Sequence, residues 1–136
     1  MSPGSSIEYT VSEPVDNLEL NELFTASWPG HRPRDFKAIL SYSMAYVCAY
    51  RRTKLIGFVN VAWDGKTHAF ILDTTVHPEQ RRQGIGKELV NQATRQARLR
   101  GVAWVHVDYE PHLKPFYAEC GFRASEAGVL NVAGEA

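Results

Sequence analysis

Residues 76–90 read VHPEQRRQGIGKELV, and this stretch decides the fold. An apolar segment ends at Val76, a basic loop follows, and a helical pattern begins at Gly84 and Gly86. The first turn of a helix carries unpaired N–H donors and a partial positive charge, and glycine lets an anion approach the backbone closely. Three basic side chains add full charges at the same place: Arg81, Arg82 and Lys87. The stretch therefore predicts an anion cradle, formed by several free main-chain amides, that suits a pyrophosphate.

The glycine spacing separates this motif from two other phosphate-binding loops. A dinucleotide-binding fingerprint needs a third glycine, and a Walker loop needs Ser or Thr after its lysine, where this chain has Glu88. From these residues alone, a basic surface turn that opens an ordinary helix is the alternative.

The hydrophobic pattern predicts one domain over residues 1–136, in which residues 1–6 form a flexible lead and no signal peptide. Apolar and alternating runs predict strands over residues 7–12, 45–51, 55–63, 68–76 and 102–108. Helical spacing predicts helices after Asp16 and over residues 35–43, 85–100 and 113–120. Closing strands are expected from Phe122 onward, with three apolar residues: Val129, Leu130 and Val132.

The order of these elements predicts an α/β fold with a mixed sheet. Strand, cradle, helix and strand form a βαβ unit, which makes the fourth and fifth strands parallel. The earlier strands are joined by tight turns, such as the one at residues 64–66, and are therefore antiparallel. The run at 102–108 is continuously apolar and indicates a buried strand. We expect helices on both faces of this mostly antiparallel sheet.

Composition argues against several classes of partner. The 15 Lys and Arg residues balance 15 Asp and Glu residues, whereas a nucleic-acid-binding domain usually has a positive excess. No apolar run approaches the roughly 20 residues of a membrane span. Cys48 and Cys120 form neither a disulfide framework nor a metal-ligand spacing. We therefore expect a cytoplasmic protein that binds no nucleic acid, no membrane and no metal.

Three segments together resemble one known family. Residues 81–86, RRQGIG, resemble the Arg/Gln-x-x-Gly-x-Gly/Ala motif of the GNAT acyl-CoA N-acyltransferases. Residues 76–78, VHP, resemble the strand exit that precedes this motif, and residues 115–122, PFYAECGF, are similar to the Phe-Tyr-x-x-x-Gly-Phe ending of the family. The resemblance implies the GNAT fold, with a splay between the parallel fourth and fifth strands, and acetyl-CoA as co-substrate. A homodimer is common in the family.

The resemblance also implies which residues bind the acyl donor. Backbone N–H groups of the cradle would hold its pyrophosphate, helped by the basic side chains, and a backbone N–H at the end of the fourth strand would stabilise the oxyanion. The predicted cofactor-binding residues are Val76, Arg81, Arg82, Gln83, Gly84, Ile85, Gly86 and Lys87.

Tyr117 is the predicted general acid, at a position where the family places a tyrosine for that role. A phenol has a reference pKa near 10 and a thiol near 8.5, so protonation of the leaving thiolate is uphill by about 1.5 pKa units. The alternative is an aromatic residue that only packs beside Phe116.

Asp73 is the predicted base that accepts the proton of the attacking amine. It lies three residues before Val76 in an otherwise apolar strand, where an unpartnered carboxylate would be costly to bury. The alternative is a strand aspartate that is hydrogen-bonded to Thr74, Thr75 or a nearby histidine.

The predicted acceptor-binding residues are Trp28, Glu110 and His112. Glu110 stands where many family members have an asparagine that contacts the pantetheine arm, which puts that contact in doubt here. Together with Asp73, Glu110 suggests a cationic acceptor. The sequence leaves open a small-molecule amine, namely a polyamine, an amino acid or an aminoglycoside, and a protein amine.

These residues predict an N-acetyltransferase that moves an acetyl group from acetyl-CoA to an amine by direct attack in a ternary complex. The competing hypothesis is a non-catalytic module that binds CoA as a sensor or docks a partner.

Overall fold

The computed structural model describes residues 6–134, so all but one residue of the predicted flexible lead lie outside the described part of the chain. Five strands form one sheet in chain order: β1 (Ile7–Val11), β2 (Ala45–Arg51), β3 (Lys54–Trp63), β4 (His68–Val76) and β5 (Trp104–Val107). The first four pair antiparallel, and β5 pairs parallel with β4. The predicted mixed sheet is confirmed.

Four α-helices connect and cover the sheet: α1 (Asn17–Ser27), α2 (Phe36–Leu40), α3 (Ile85–Leu99) and α4 (Lys114–Glu119). Single 3-10 turns precede α3 and α4, at Pro78–Gln80 and Pro111–Leu113. Asp16 starts α1 because its side chain accepts a hydrogen bond from the N–H of Leu18 at 2.9 Å. After α3, the N–H of Val102 donates to the carbonyl of Ala97 at 3.0 Å, which closes the helix near Gly101, next to the predicted end at residue 100.

Two hydrophobic cores lie on opposite faces of the sheet. One packs α3 against the sheet, through apolar residues four apart on the helix: Ile85, Leu89, Ala93 and Ala97. The other packs α1 and α2 against β2 and β3, with Phe24, Phe36 and Phe58 at its centre. Helices therefore cover both faces, as the sequence predicted.

The second helix and the fifth strand differ from their predicted form. The second helix ends at Leu40 instead of residue 43, because the Ser41 hydroxyl bonds back to the carbonyl of Ala38 at 2.6 Å and a turn follows. β5 is shorter than predicted and is not buried: Trp104 is 58% exposed. The reason is that β5 forms an edge of the described sheet instead of a central strand.

The predicted closing strands after Phe122 are wrong for the described residues, because no strand lies between residues 122 and 134. Phe122 itself packs against the α3-side core. The chain beyond it is small and polar up to Gly128, and its apolar side chains find no packing surface: Val129, Leu130 and Val132 are more than 80% exposed. Without an apolar face to bury, this segment gains too little to order into a strand.

The end of β4 departs from a regular ladder in two ways. Its pairing with β5 stops at Ile71, so residues 72–76 extend past the last pair. Its pairing with β3 passes from Asn60–Leu72 to Phe58–Thr75, so Asp73 and Thr74 together oppose only Val59. This is a β-bulge, and it lies at the point where β4 and β5 part.

Candidate active site

The N-terminus of α3 offers free backbone donors. Gly84 begins the helix in a left-handed conformation (φ 77°, ψ 9°) and provides no side-chain cap. The N–H of Glu88 bonds to the Gly84 carbonyl at 3.1 Å. The three amides between them, of residues 85–87, precede the helical ladder and have no partner in the described chain. Arg82 and Lys87 are exposed beside these amides.

The loop before α3 is held from the neighbouring strand. Arg51, at the end of β2, donates through Nε to Gln80 Oε1 at 3.0 Å and through its terminal nitrogen to Gln83 Oε1 at 2.7 Å. On the other side, Arg81 Nε donates to the Val76 carbonyl at 3.3 Å. The contact uses only the side-chain oxygen of Gln83, so its position is set by Arg51 while its amide N–H donors stay available.

Gly86 serves packing. A Cβ at this position would lie 3.3 Å from Phe116 Cζ and 3.6 Å from Val76 Cγ2. The missing side chain therefore lets α4 approach the start of α3, in addition to any role in admitting an anion.

The amide of Val76 points into the gap between β4 and β5. The next amide, of His77, donates to the Ile56 carbonyl of β3 at 2.8 Å. Successive amides of a strand point to opposite sides, so the Val76 N–H faces away from β3, where pairing with β5 has already ended.

Tyr117 reaches the same gap from α4. Its side chain is buried, and its hydroxyl donates to Thr74 Oγ1 at 3.3 Å. Three rings fix its orientation. Tyr109 stacks on it with 4.9 Å between the ring centroids, and Phe116 and Phe122 contact it edge-on. Burial raises the pKa of Tyr117 above its ordinary value, and the hydrogen bond to Thr74 partly offsets this effect. The phenol is therefore protonated at neutral pH.

Asp73 lies in the bulge and faces the α1–α2 side. Its backbone is left-handed (φ 58°), an unusual conformation for a residue other than glycine. Its carboxylate accepts a hydrogen bond from Arg34 at 3.5 Å, and the two side chains are 32% and 36% exposed. The carboxylate is therefore paired, with a residue that the sequence alone did not indicate.

Trp28 is linked to Asp73 through Thr75. Its indole N–H donates to Thr75 Oγ1 at 2.9 Å, and this hydroxyl donates to the Asp73 carbonyl at 2.8 Å. The indole ring is 45% exposed. Trp28 therefore lies beside the bulge and is not a core residue, and its contact with the acceptor stays a prediction.

The loop that carries Arg34 is held by Asn21 of α1. The Asn21 side chain accepts from the Arg34 N–H at 2.8 Å, donates to the Arg34 carbonyl at 2.9 Å and lies 2.9 Å from His31 Nε2. The Arg34 guanidinium lies over the rings of Phe36 at 4.9 Å and Phe24 at 5.6 Å. Its position is thus set by its backbone and by its neighbours.

Glu110 and His112 do not join these groups. Both are exposed around the 3-10 turn before α4, and neither side chain forms a hydrogen bond or ion pair with the described residues of the site. His77 is engaged elsewhere, because its Nδ1 accepts from the N–H of Glu79 at 3.1 Å and caps the preceding turn.

Residues 17–122 match the sequence pattern of the Acetyltransferase (GNAT) family. The chain belongs to this family. GNAT proteins are N-acetyltransferases that take their acetyl group from acetyl-CoA, so the predicted family and class of enzyme are confirmed.

Relatives and solved structures agree with the GNAT assignment. An uncharacterized N-acetyltransferase of Porphyra purpurea, ycf52, is 27% identical over 120 residues, which cover 85% of this chain and 69% of the relative. The ycf52 protein of Gracilaria tenuistipitata is 33% identical over 75 residues, 55% of this chain and 41% of the relative. The chain thus spans between about two fifths and two thirds of these curated relatives.

The fold of the GNAT chain is shared with an inferred acetyltransferase of Deinococcus radiodurans R1. The two align with a TM-score of 0.80 and 26% identity, over 97% of this chain and 92% of the other. The aminoglycoside N-acetyltransferase AAC(6')-Iy in complex with CoA aligns with a TM-score of 0.77 and 21% identity, over 96% of this chain and 97% of the other. At this identity the second likeness shows the fold alone.

The location of this GNAT protein stays a prediction. No helix among residues 6–134 is both long and apolar enough to cross a membrane. Its relatives include a chloroplastic protein of Arabidopsis thaliana, 33% identical over 76 residues.

Several residues around the site carried no motif signal. Arg34 is one charged residue in a polar loop, and its pairing with Asp73 spans 39 positions. Thr74 and Tyr109 have no distinctive spacing. Asn21 did leave a signal, since asparagine in mid-helix is unfavourable and often marks a side chain with a specific partner.

Proposed function

We propose that this chain acetylates an amine by direct attack on acetyl-CoA within a ternary complex. One observation carries the proposal: the buried Tyr117 hydroxyl is held at Thr74, where β4 parts from β5, and α4 packs on the α3 N-terminus through Gly86. A proton donor, an open strand gap and a set of free amides are thereby brought together.

The start of α3 has the chemistry that a pyrophosphate needs. Its free amides and partial positive charge favour an anion, and the charges of Arg82 and Lys87 add to them. Each charge-assisted contact would contribute about 1.5–3 kcal/mol. In this proposal Arg81 is anchored to the Val76 carbonyl and adds charge to the site.

Tyr117 acts as the general acid. The amine nitrogen forms a bond to the thioester carbonyl carbon, the carbon–sulfur bond breaks, and the thiolate takes the phenol proton. Tyr117 then regains a proton from solvent. The Val76 N–H, which faces the gap, is the proposed donor to the oxyanion.

Asp73 acts on the acceptor side. Its carboxylate accepts a hydrogen bond from the substrate ammonium and takes the proton that the amine must lose before it attacks. The left-handed bulge supports this role, because backbone strain of this kind clusters at functional sites.

The test is the release of CoA thiol from acetyl-CoA with a panel of amines, together with calorimetric titration of CoA. Tyr117→Phe is expected to lower kcat by about 10²–10⁴-fold, the usual contribution of a general acid, with CoA affinity preserved. Tyr42→Phe is the matched control, since Tyr42 is 83% exposed.

Two outcomes would contradict the proposal. Equal rates for wild type and Tyr117→Phe would remove Tyr117 from the chemistry. Tight CoA binding without turnover on any amine would favour the sensor hypothesis.

A further inference from the structure

We propose that the acceptor is an α-amino acid, whose carboxylate binds Arg34 and whose amino group binds Asp73. This inference rests on the proposed function and names the substrate class of the same site. It replaces the cationic acceptor that the sequence suggested from Asp73 and Glu110.

The charge balance of the bulge argues against a simple cation. Asp73 is already paired with the Arg34 guanidinium at 3.5 Å, so the pair is neutral as a whole. Glu110 forms no hydrogen bond or ion pair with either side chain of the pair among the described residues. A cationic amine that approached Asp73 would meet the positive charge of Arg34, whereas a molecule with both charges would match the pair.

The Arg34–Asp73 pair is loose enough to open. A guanidinium has five N–H donors. The Arg34 guanidinium donates a single hydrogen bond to the described residues, at the outer limit of hydrogen-bond length. Both side chains are about one third exposed. A ligand can therefore separate the two side chains. Its carboxylate would then pair with Arg34 and its ammonium group with Asp73, so both side chains would stay paired.

The guanidinium is preorganised for a carboxylate. It lies over two phenylalanine rings, and both backbone polar groups of Arg34 are bound by Asn21. A planar, fixed guanidinium favours bidentate binding of a carboxylate. Little conformational entropy remains to be lost when the ligand binds.

The location of Asp73 fits an amine that must attack. Asp73 precedes Thr74, which binds the Tyr117 hydroxyl, so the base and the acid meet β4 at adjacent residues of the bulge. An amino group on Asp73 is placed at the end of the strand gap. A carboxylate one carbon away lies toward Arg34.

The experiment compares three acceptor types at saturating acetyl-CoA: the common α-amino acids, their carboxamides and the corresponding decarboxylated amines. The wild-type protein is expected to show kcat/KM about 10- to 100-fold higher for at least one amino acid than for its carboxamide or amine, the effect of one charge-assisted contact. Equal or better use of the decarboxylated amine would overturn the inference.

Substitution of Arg34 tests the assigned contact. Arg34→Gln is expected to raise KM about 10-fold or more for the amino acid only, with kcat and the decarboxylated amine little affected, and Arg34→Lys to restore part of the loss. Arg95→Gln, an exposed position on α3, is the matched control. An equal loss for both acceptors would reduce Arg34 to a structural residue and overturn the inference.

The two proposals fail in distinguishable ways. If simple amines are acetylated and kcat/KM does not depend on whether the acceptor has a carboxylate, the acetyl-transfer proposal stands and the amino-acid proposal is rejected. If CoA binds but no amine or amino acid is acetylated, both are rejected.

Discussion

Replacement of Gly84 by alanine tests the cradle most directly. Gly84 has φ +77°, and a Cβ there would meet nothing within 4 Å. Any cost therefore comes from the backbone and not from a steric clash with neighbours. A non-glycine residue in the left-handed region costs roughly 1–2 kcal/mol, so we expect the free energy of unfolding to fall by about that amount.

The same change is expected to weaken CoA binding. An alanine can relieve its strain by unwinding the first turn of α3, which would turn the free amides away from a common point. The loss of one charge-assisted hydrogen bond, about 1.5 kcal/mol or more, corresponds to a dissociation constant at least about tenfold higher.

Urea denaturation and calorimetric titration of CoA measure the two effects. Gly84→Asn is the matched control at the same position, because asparagine tolerates left-handed backbone better than alanine does. Gly128→Ala controls for the loss of a glycine at a position with open space and no positive φ. Unchanged stability would show that the left-handed turn is not required. Lower stability with unchanged CoA affinity would show that these amides do not hold the pyrophosphate.

Three further predictions concern residues that support the site. Arg51→Met removes the hydrogen bonds to Gln80 and Gln83, and we expect CoA affinity to fall several-fold. A double-mutant cycle with Gln83→Ala in calorimetry should show non-additive losses, whereas additive losses would show that Arg51 does not act through Gln83. Asn21→Ala leaves the backbone of Arg34 without its partners and is expected to cost about 1–3 kcal/mol in urea denaturation; a cost near zero would show that the loop is held otherwise. Burial raises the pKa of Cys48 from 9.0 to about 12, so its thiol ionises first in the unfolded state, and Cys48 alone should lower the free energy of unfolding by about 1.4 kcal/mol between pH 8 and pH 10. In Cys48→Ala the fall should be smaller by that amount, with the rest contributed by other groups of raised pKa such as Tyr117 and Cys120; an equal fall in both proteins would refute the assignment.

Local signals predicted most of the sheet and the main helix. The bounds of β4 agree with the prediction, because a turn at Asp64 precedes it and the VHP exit ends it. The apolar spacing of α3 and its stop at Gly101 lie within one element, so the sequence records them directly. The cradle was predicted from signals of the same kind, since its charges and glycines are neighbours in the chain, and its binding of a pyrophosphate stays a prediction.

Features that depend on contacts across the fold were not predictable. The length of α2 depended on a serine that competes for a backbone carbonyl, and the closing strands needed a partner that the pattern of Val129, Leu130 and Val132 does not specify. The pairing of Asp73 joins two elements through a bulge that alternation does not reveal. The sequence marked Asp73 as unusual but could not identify Arg34 as its partner.

The bulge at Asp73 also changes which residues of β4 face the α3 core. Before it, the odd-numbered residues Ala69 and Ile71 face the α3 core; after it, the even-numbered Val76 does. Deleting one residue here would restore a regular ladder and leave every other hydrogen bond of the strand possible. Thr75 and Val76 would keep their present faces, because they would still pair with Phe58 and Gly57. What such a deletion would remove is the left-handed turn that places Asp73 beside Arg34. A one-residue deletion between residues 72 and 75 should therefore leave the core intact and disturb the acceptor side alone.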